Sequence, residues 1–212
     1  MITYPKIETL FERATDGSNR LIKGKFRSEA VAATANLEWE FTEKIDGTNV
    51  RVGWDGHKVS FGGRTERAQL PTPLVNRLNE VFGGDEKEEL FEQLFGAKEV
   101  VLFGEGYGAG IQKGGGYRSN QDFILFDVNV DGMWLKRESV EDIAKAFGVE
   151  VVPVVFCGTV WEAVDRVEHK PTSLVAQDRS MIAEGYVGRA PAGLLDRCGN
   201  RLIVKVKVKD FV

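Results

Sequence analysis

Alternating apolar and polar residues recur in several short segments of the chain, and this pattern predicts β-strands. In LEWEF, Leu37, Trp39 and Phe41 alternate with glutamates, as in a strand with one buried face. NVRVGWDGHKVSF continues the alternation on both sides of Asp55 and Gly56, which predicts a hairpin because this dipeptide tolerates positive φ. Further strands are predicted at KEVVLFGEG, DFILFDVNV, VEVVPVVF, EGYVGR and RLIVKVKVKDF.

Helical spacing of apolar residues occurs in two neighbouring segments, TPLVNRLNEVFG and DEKEELFEQLFG, and Gly96 is predicted to lie just past the end of the second helix. Ser139 and Thr159 are the predicted N-caps of two more short helices, and Glu162 completes a capping box with Thr159. Strands outnumber helices along the chain. We therefore predict an α+β fold of largely antiparallel sheets with flanking helices, in a single domain over residues 1–212.

Composition is that of an ordinary globular protein, with 42% hydrophobic and 28% charged residues in a chain of 212. No apolar run approaches the roughly 18 residues of a membrane span, and the N-terminus lacks the layout of a secretory signal. We expect a monomeric cytoplasmic protein with no membrane partner. A net charge of −4 argues against a wholly basic nucleic-acid coat, but it permits a local basic groove.

Two lysines near the C-terminus share one face of a predicted strand. In RLIVKVKVKDF, Lys205 and Lys207 alternate with Val204 and Val206, so the two amines project side by side, about 7 Å apart. That spacing suits two oxygens of a polyphosphate. An edge strand protected from aggregation by lysines has the same pattern, and both interpretations stay open.

A third lysine and several carboxylates are placed at the ends of predicted strands. EKIDGTN sets Lys44 at a strand end, and Glu105, Asp127 and Glu184 each lie at or beside an apolar strand. Carboxylates that are buried need partners. Cations that neutralise charge and carboxylates that hold a divalent ion are what a metal-assisted reaction at a phosphate requires. An exposed lysine or a carboxylate that caps a turn remains the alternative at each position.

EKIDGTN resembles the K-x-D-G-x-N signature of covalent nucleotidyltransferases, which include ATP-dependent DNA ligases, RNA ligases and capping enzymes. Other elements similar to those of that superfamily follow in order between residues 43 and 207, namely FGGRTE, LFGEGYG, FILFDV, AEGYVGR and IVKVKV. The GTN and FDV elements and the N-terminal YPKIETLFER look most like the RNA ligase 2 family. Asp46 departs from that family, because several of its members carry histidine at this position. The lysine motif therefore looks equally like that of a DNA ligase.

The resemblance implies an ATP-grasp-like nucleotidyltransferase (adenylation) domain without a C-terminal accessory domain, acting as an ATP-dependent RNA ligase in RNA repair. Lys44 would attack the α-phosphorus of ATP and become linked to AMP. The AMP would pass to a 5'-phosphate end, and a 3'-hydroxyl would displace it to seal the strand. ATP and Mg²⁺ or Mn²⁺ are the implied cofactors, and RNA ends, including those of a nicked duplex, are the implied partners.

Residue roles are implied by position in the matched elements. The catalytic residues would be Lys44, Asp46, Glu184, Lys205 and Lys207, with the last two on the α-phosphate. The nucleotide would be bound by Glu43, by Asn49 and Arg64 at phosphates, by Glu105 at the ribose, by Phe126 at the adenine and by Arg189 at the triphosphate. The metal ligands would be Glu184 and Asp127.

Two other functions share these features. A small DNA ligase would use every one of the catalytic groups, and a non-catalytic nucleotide- or nucleic-acid-binding module would keep the sheets without the covalent step. The glycine-rich FGEGYGAGIQKGGG lacks the G-x-G-x-x-G spacing of a dinucleotide-binding turn. We predict a loop there, whose Lys113, Tyr117 and Arg118 suit contacts with phosphates and bases.

Overall fold

The protein is described by a computed structural model that covers residues 1–191 and 194–211. Its chain divides into two compact units: unit 1 comprises Met1–Pro5 and Asp46–Val152, and unit 2 comprises Lys6–Ile45 and Pro153–Val212. The first crossing between the units falls inside EKIDGTN, after Ile45. The predicted single domain stays a prediction.

The helices and strands follow in chain order: β1 (Glu8–Thr9), β2 (Phe11–Arg13), β3 (Leu21–Phe26), α1 (Glu29–Thr34), β4 (Trp39–Lys44), β5 (Thr48–Trp54), β6 (Val59–Gly62), α2 (Thr72–Phe82), α3 (Asp85–Phe95), β7 (Val100–Tyr107), β8 (Asp122–Val130), β9 (Met133–Trp134), α4 (Arg137–Phe147), β10 (Glu150–Val151), β11 (Val154–Gly158), α5 (Val160–Glu168), β12 (Gly185–Arg189) and β13 (Ile203–Lys207). None of the helices in the described residues is long and apolar enough to cross a membrane.

Unit 1 is built on a sheet with the strand order β10-β8-β7-β5-β6, in which β9 also pairs with β8. All pairs are antiparallel except β10 with β8. Helices α2, α3 and α4 cover one face with a shared apolar core. That core includes Val50, Val52, Leu74, Leu78, Phe82, Phe91, Leu102, Leu125 and Phe147.

Unit 2 is built on a second sheet, ordered β1-β13-β12-β4-β11, and a separate β2-β3 pair. β1 and β13 run parallel, and the other strand pairs in the described part of unit 2 are antiparallel. Trp39 and Phe41 of β4 are fully buried against α5 on one face of the sheet. Burial of a large apolar side chain contributes about 1.5–3 kcal/mol to the free energy of folding. Trp39 also donates its indole N–H to Thr34 O at 2.9 Å, so its polar atom is satisfied. The opposite face carries lysines.

The α+β fold of largely antiparallel sheets is confirmed. The β5-β6 hairpin turns at Gly56, whose φ is +94°, and Thr159 forms the predicted capping box with Glu162. Some local predictions are wrong. Helix α4 begins at Arg137, so Ser139 lies inside it, and VEVVPVVF contributes β10 to one sheet and β11 to the other. Pro153 lies at that break, since proline has no N–H to donate to a strand ladder.

Candidate active site

Strand register in unit 2 places Lys44 and Lys207 in one row on either side of Gly185. Paired residues on neighbouring strands point to the same face, so both lysines project from the face opposite the apolar core. Gly185 has φ +148°, and a Cβ there would lie 2.1 Å from Val206 O. Glycine therefore leaves the space between the two lysines free of a side chain. We call this surface of the unit 2 sheet the lysine face.

Glu184 joins the two lysines. Its Oε2 accepts a hydrogen bond from Lys44 Nζ at 2.5 Å, and Lys207 Nζ lies 3.8 Å from its Oε1. The three side chains are only 14–25% exposed. Burial lowers the pKa of Lys207, as does neighbouring Lys209, while the Glu184 carboxylate opposes the shift. The backbone of Glu184 is fixed as well, because its O accepts from Val208 N–H at 2.9 Å.

Lys205 and Arg189 lie on the lysine face at greater distances along the strands. Lys205 pairs with Val187 on β12 and with Thr9 on β1, one two-residue step from Lys207. Arg189 pairs with Glu40 at the far end of β12. Both side chains are partly buried. The predicted Lys205–Lys207 pair is thus confirmed as neighbours on one strand face, opposite Val204 and Val206.

Glu43 lies on the other side of the same strand. It pairs with Tyr186 on the face that carries Phe41, and it is 2% exposed. Its carboxylate accepts hydrogen bonds from the Ser173 hydroxyl and, at 2.8 Å, from Leu174 N–H. Strand alternation therefore places Glu43 on the face opposite the lysine face, although Glu43 and Lys44 are adjacent in sequence. Its role in nucleotide binding stays a prediction.

Asp46 and Gly47 begin the part of EKIDGTN that belongs to unit 1. Asp46 N–H donates to the hydroxyl of Tyr117 at 3.1 Å, and Tyr117 is fully buried. A Cβ on Gly47 would lie 2.3 Å from Gly106 O, so this turn can approach β7 only with glycine. Asp46 is partly buried.

Asn49 and Glu105 are directly paired on β5 and β7, on the face of the unit 1 sheet opposite its helices. Val50 on β5 lies in the apolar core, so Asn49 beside it faces away. Asn49 Oδ1 is buried and accepts no hydrogen bond from the described residues. An amide oxygen in that state is costly to leave unsatisfied, and it is a candidate contact for a ligand donor.

Phe126 and Asp127 lie on β8, where Tyr4 packs against the first and binds the second. The Tyr4 ring meets the rings of Phe126 and Phe103 at 5.1 Å and that of Trp134 at 5.4 Å, all edge to face. Its hydroxyl donates to Asp127 Oδ2 at 2.7 Å, and Val128 N–H donates to Asp127 Oδ1 at 3.1 Å. Tyr4 opens the YPKIETLFER segment, but no role was predicted for this side chain.

Arg64 is exposed on the loop after β6, and the residue that organises this loop is Arg51. The Arg51 guanidinium is 1% exposed and donates to Gly63 O at 2.7 Å and to Glu66 at 3.0 Å. It also donates to the carbonyl oxygens of Met1 and Ile2, each at 3.2 Å. Arg51 alternates with buried valines on β5, so the sequence pattern predicts that it lies on the opposite face of the strand. The pattern does not predict its hydrogen-bond partners.

The glycine-rich segment after β7 folds into a pinned loop. Ala109 N–H donates to Arg118 O, and Arg118 forms an ion pair with Asp122 and lies over the Tyr107 ring. Burial raises the pKa of Tyr107 to about 12. Lys113 is exposed at the tip of this loop. Contacts of the loop with nucleic acid stay a prediction.

The metal prediction depends on which donor groups lie close together. Among residues 1–191 and 194–211, no group of three or more His, Cys, Asp or Glu side chains is placed to hold a metal ion. Glu184 nevertheless offers two hard carboxylate oxygens, and Mg²⁺ is commonly held by one or two carboxylates together with substrate phosphates. The Glu184 donor set fits a metal of that kind. The role of Asp127 as a ligand stays a prediction.

Solved structures of the Naegleria gruberi RNA ligase share this fold. A variant of the Naegleria gruberi RNA ligase with ATP and manganese has a TM-score of 0.62 and 17% identity, over 85% of this chain and 54% of that one. The same ligase with pyrophosphate has a TM-score of 0.67 and 17% identity, over 97% and 56%. An apo variant matches at 0.67 and 16%, over 97% and 55%. This chain spans about half the length of those proteins.

A family model adds sequence-level support to the likeness in fold. No curated protein matches the chain. The model described as RNA ligase matches residues 37–207, which include both the Lys44 element and the Lys205–Lys207 pair. This match covers most of the chain. The chain therefore belongs to the RNA ligase family.

Proposed function

We propose that the chain is an ATP-dependent RNA ligase that forms a covalent Lys44–AMP intermediate and joins 3'-hydroxyl to 5'-phosphate ends. The single observation that carries the proposal is the lysine face. There Lys44, Lys207 and Glu184 meet at one end of three adjacent strands, with no side chain at Gly185 between the lysines. Structural lysines that only protect a sheet edge would have no reason to converge on one partly buried carboxylate.

Lys44 Nζ is the nucleophile in this mechanism. It has to lose a proton before it can attack the α-phosphorus, and Glu184 Oε2 at 2.5 Å is placed to receive that proton. The attack forms an N–P bond and breaks the bond from the α-phosphorus to the oxygen of the leaving pyrophosphate. Lys207 and Lys205 would neutralise the charge that develops on the α-phosphate.

The nucleotide and metal are assigned by resemblance and by what the similar solved structures contain. The Naegleria ligase has been solved with ATP and manganese, with AMP and manganese and with pyrophosphate, which supports ATP and a divalent ion here. A bound metal would supply Lewis-acid stabilisation of phosphate oxygens, with Glu184 as a ligand. For unit 1 we propose ribose and adenine contacts by Glu105 and Phe126 and phosphate contacts by Asn49 and Arg64.

Self-adenylylation tests the proposal. The protein is incubated with α-labelled ATP and Mg²⁺ or Mn²⁺, and it should become covalently labelled. Added pyrophosphate should then remove the label by reversing the reaction. Lys44→Ala should take up no label. Lys58→Ala, at an exposed position in the β5-β6 turn, is the matched control and should be labelled like wild type. The proposal fails if wild type stays unlabelled or if Lys44→Ala is labelled.

The strand that provides the 3'-hydroxyl separates an RNA ligase from a DNA ligase. Family membership favours RNA on that side of the nick. Nicked duplexes that differ only in having RNA or DNA at the 3'-hydroxyl end are compared for sealing by the labelled protein. Faster sealing of the all-DNA nick would contradict the RNA assignment and leave Lys44–AMP formation intact.

A further inference from the structure

Glu43 is a buried carboxylate that the chemistry above does not use. It precedes Lys44 in sequence but lies on the core face of β4, across from Tyr186. Both of its carboxylate oxygens accept hydrogen bonds, one from the Ser173 hydroxyl and the other from Leu174 N–H. Among the described residues it forms no ion pair. Burial raises its pKa, and the bonds from Ser173, Leu174 and Val175 oppose that shift.

The partners of Glu43 belong to a closed segment, residues 171–183, between α5 and β12. Ser173 N–H donates to Met181 O at 2.8 Å, and Ala183 N–H donates to Pro171 O at 2.9 Å. Thr172 and Ile182 form an isolated antiparallel bridge. The segment therefore behaves as one loop whose two ends are held together, and its last residue is followed directly by Glu184.

Ser173 links the turn inside this segment to Glu43. Its hydroxyl oxygen accepts from Val175 N–H at 3.2 Å and from Ala176 N–H at 3.0 Å, so its own proton is left to donate to the carboxylate. Burial of a carboxylate that is hydrogen-bonded only to neutral donors lowers the stability of the folded state. Its placement is explained if it performs a task that an apolar side chain at this position could not perform.

We propose that Glu43 is a positioning residue, which holds the segment 171–183 against β4 and thereby sets Glu184 beside Lys44. Two carboxylates then act on opposite faces of the sheet. Glu43 holds the segment from the core face of β4, and Glu184 contacts the Lys44 amine on the lysine face. This differs from the nucleotide-binding role predicted from sequence, and its kinetic part rests on the proposed function.

Amide hydrogen exchange on the protein without nucleotide tests the structural part. Glu43→Gln and Ser173→Ala should each raise the exchange rate of amides across residues 173–183. The first disturbs the hydrogen bonds between the segment and β4, and the second removes one of them. Ser180→Ala is the matched control: its hydroxyl donates only to exposed Asp178 in the same segment, and exchange there should stay as in wild type. Unchanged exchange in Glu43→Gln would overturn the proposal, whatever the chain catalyses.

Single-turnover labelling with ATP tests the kinetic part. Glu43→Gln and Ser173→Ala should both lower the rate constant of Lys44 labelling at saturating ATP by about tenfold or more, with the ATP affinity unchanged within about twofold. The double variant should be no slower than the slower single variant, because both act through one contact. Weaker ATP binding in Glu43→Gln, with no effect of Ser173→Ala, would assign Glu43 to the nucleotide instead. If wild type is not labelled at all, the proposed function fails, and the exchange result still decides the role of Glu43 in the segment.

Discussion

The two central sheets differ in what occupies the face opposite their helices. In unit 2 that face carries Lys44, Lys205 and Lys207, and strand alternation alone puts them there. In unit 1 the corresponding face is crossed by the N-terminal residues, with Tyr4 over Phe126 and hydrogen-bonded to Asp127. A strand pattern therefore determines which residues share a face, whereas the segment that covers them comes from elsewhere in the chain.

The largest expected effect is on catalysis at the lysine face. Lys207→Ala should lower the rate of labelling by about 10²–10³-fold, because it removes one preorganised cation from the developing charge. Lys209→Ala is the control, since Lys209 is exposed in the 3₁₀ turn after β13, and it should cost less than about fivefold. Equal rates for the two variants would mean that the lysine face does not hold phosphate.

The backbone between the lysines is the next test of this face. Gly185→Ala places a Cβ against Val206 O in a backbone conformation that alanine rarely adopts, which should cost about 1–3 kcal/mol or more of unfolding free energy. Gly115→Ala, with open space around the added Cβ, should change it by less than about 0.5 kcal/mol. Urea denaturation measures both, and a fully stable Gly185→Ala would contradict the register described for β12.

In unit 1 the comparison is sharpened by Tyr4→Phe. The variant keeps the ring packing but removes the hydroxyl that donates to the buried Asp127 carboxylate, at a cost of about 1.5–3 kcal/mol. Ile2→Ala, which shortens an exposed side chain on the same segment, should cost about 0.5 kcal/mol or less. If Tyr4→Phe is as stable as Ile2→Ala in urea, the N-terminal residues do not stabilise this face.

The smallest expected effect is a pH dependence that comes from Glu43. Its pKa is raised in the folded protein, mainly by burial, with Tyr186 across from it and Ser173 and Leu174 as donors. The folded state therefore binds the proton more tightly than the unfolded state. Relative to Glu43→Gln, wild type should lose stability as pH rises from about 4.5 through the folded pKa. Parallel curves for the two proteins in urea titrations between pH 4 and 8 would contradict a buried, ionisable Glu43.

Local patterns were sufficient for much of the fold. Alternation predicted the buried Trp39 and Phe41, and Asp-Gly chemistry predicted the β5-β6 turn, because short-range sterics set both. Alternation failed at Leu37, which is 44% exposed because β4 begins only at Trp39. It also missed the division of VEVVPVVF between two sheets, which depends on pairing with strands far away in sequence.

The candidate site was predictable where a strand carries it and not where a tertiary contact does. Lys205 and Lys207 follow from the KVK alternation, and the resemblance implied catalytic roles for Lys44 and Glu184. Its position in the matched EKIDGTN element implied nucleotide contact for Glu43, yet the period of two places its carboxylate on the core face. No local signal joins Glu43 to Ser173, 130 residues away.

The identity of the labelled residue tests the central claim most directly. After incubation with ATP and a divalent metal, mass spectrometry of a digest should find AMP on the peptide that contains Lys44, and only there. Lys44→Arg, which keeps the charge beside Glu184 but not the amine, should yield no AMP peptide. AMP on another lysine, or an AMP peptide from Lys44→Arg, would contradict the account.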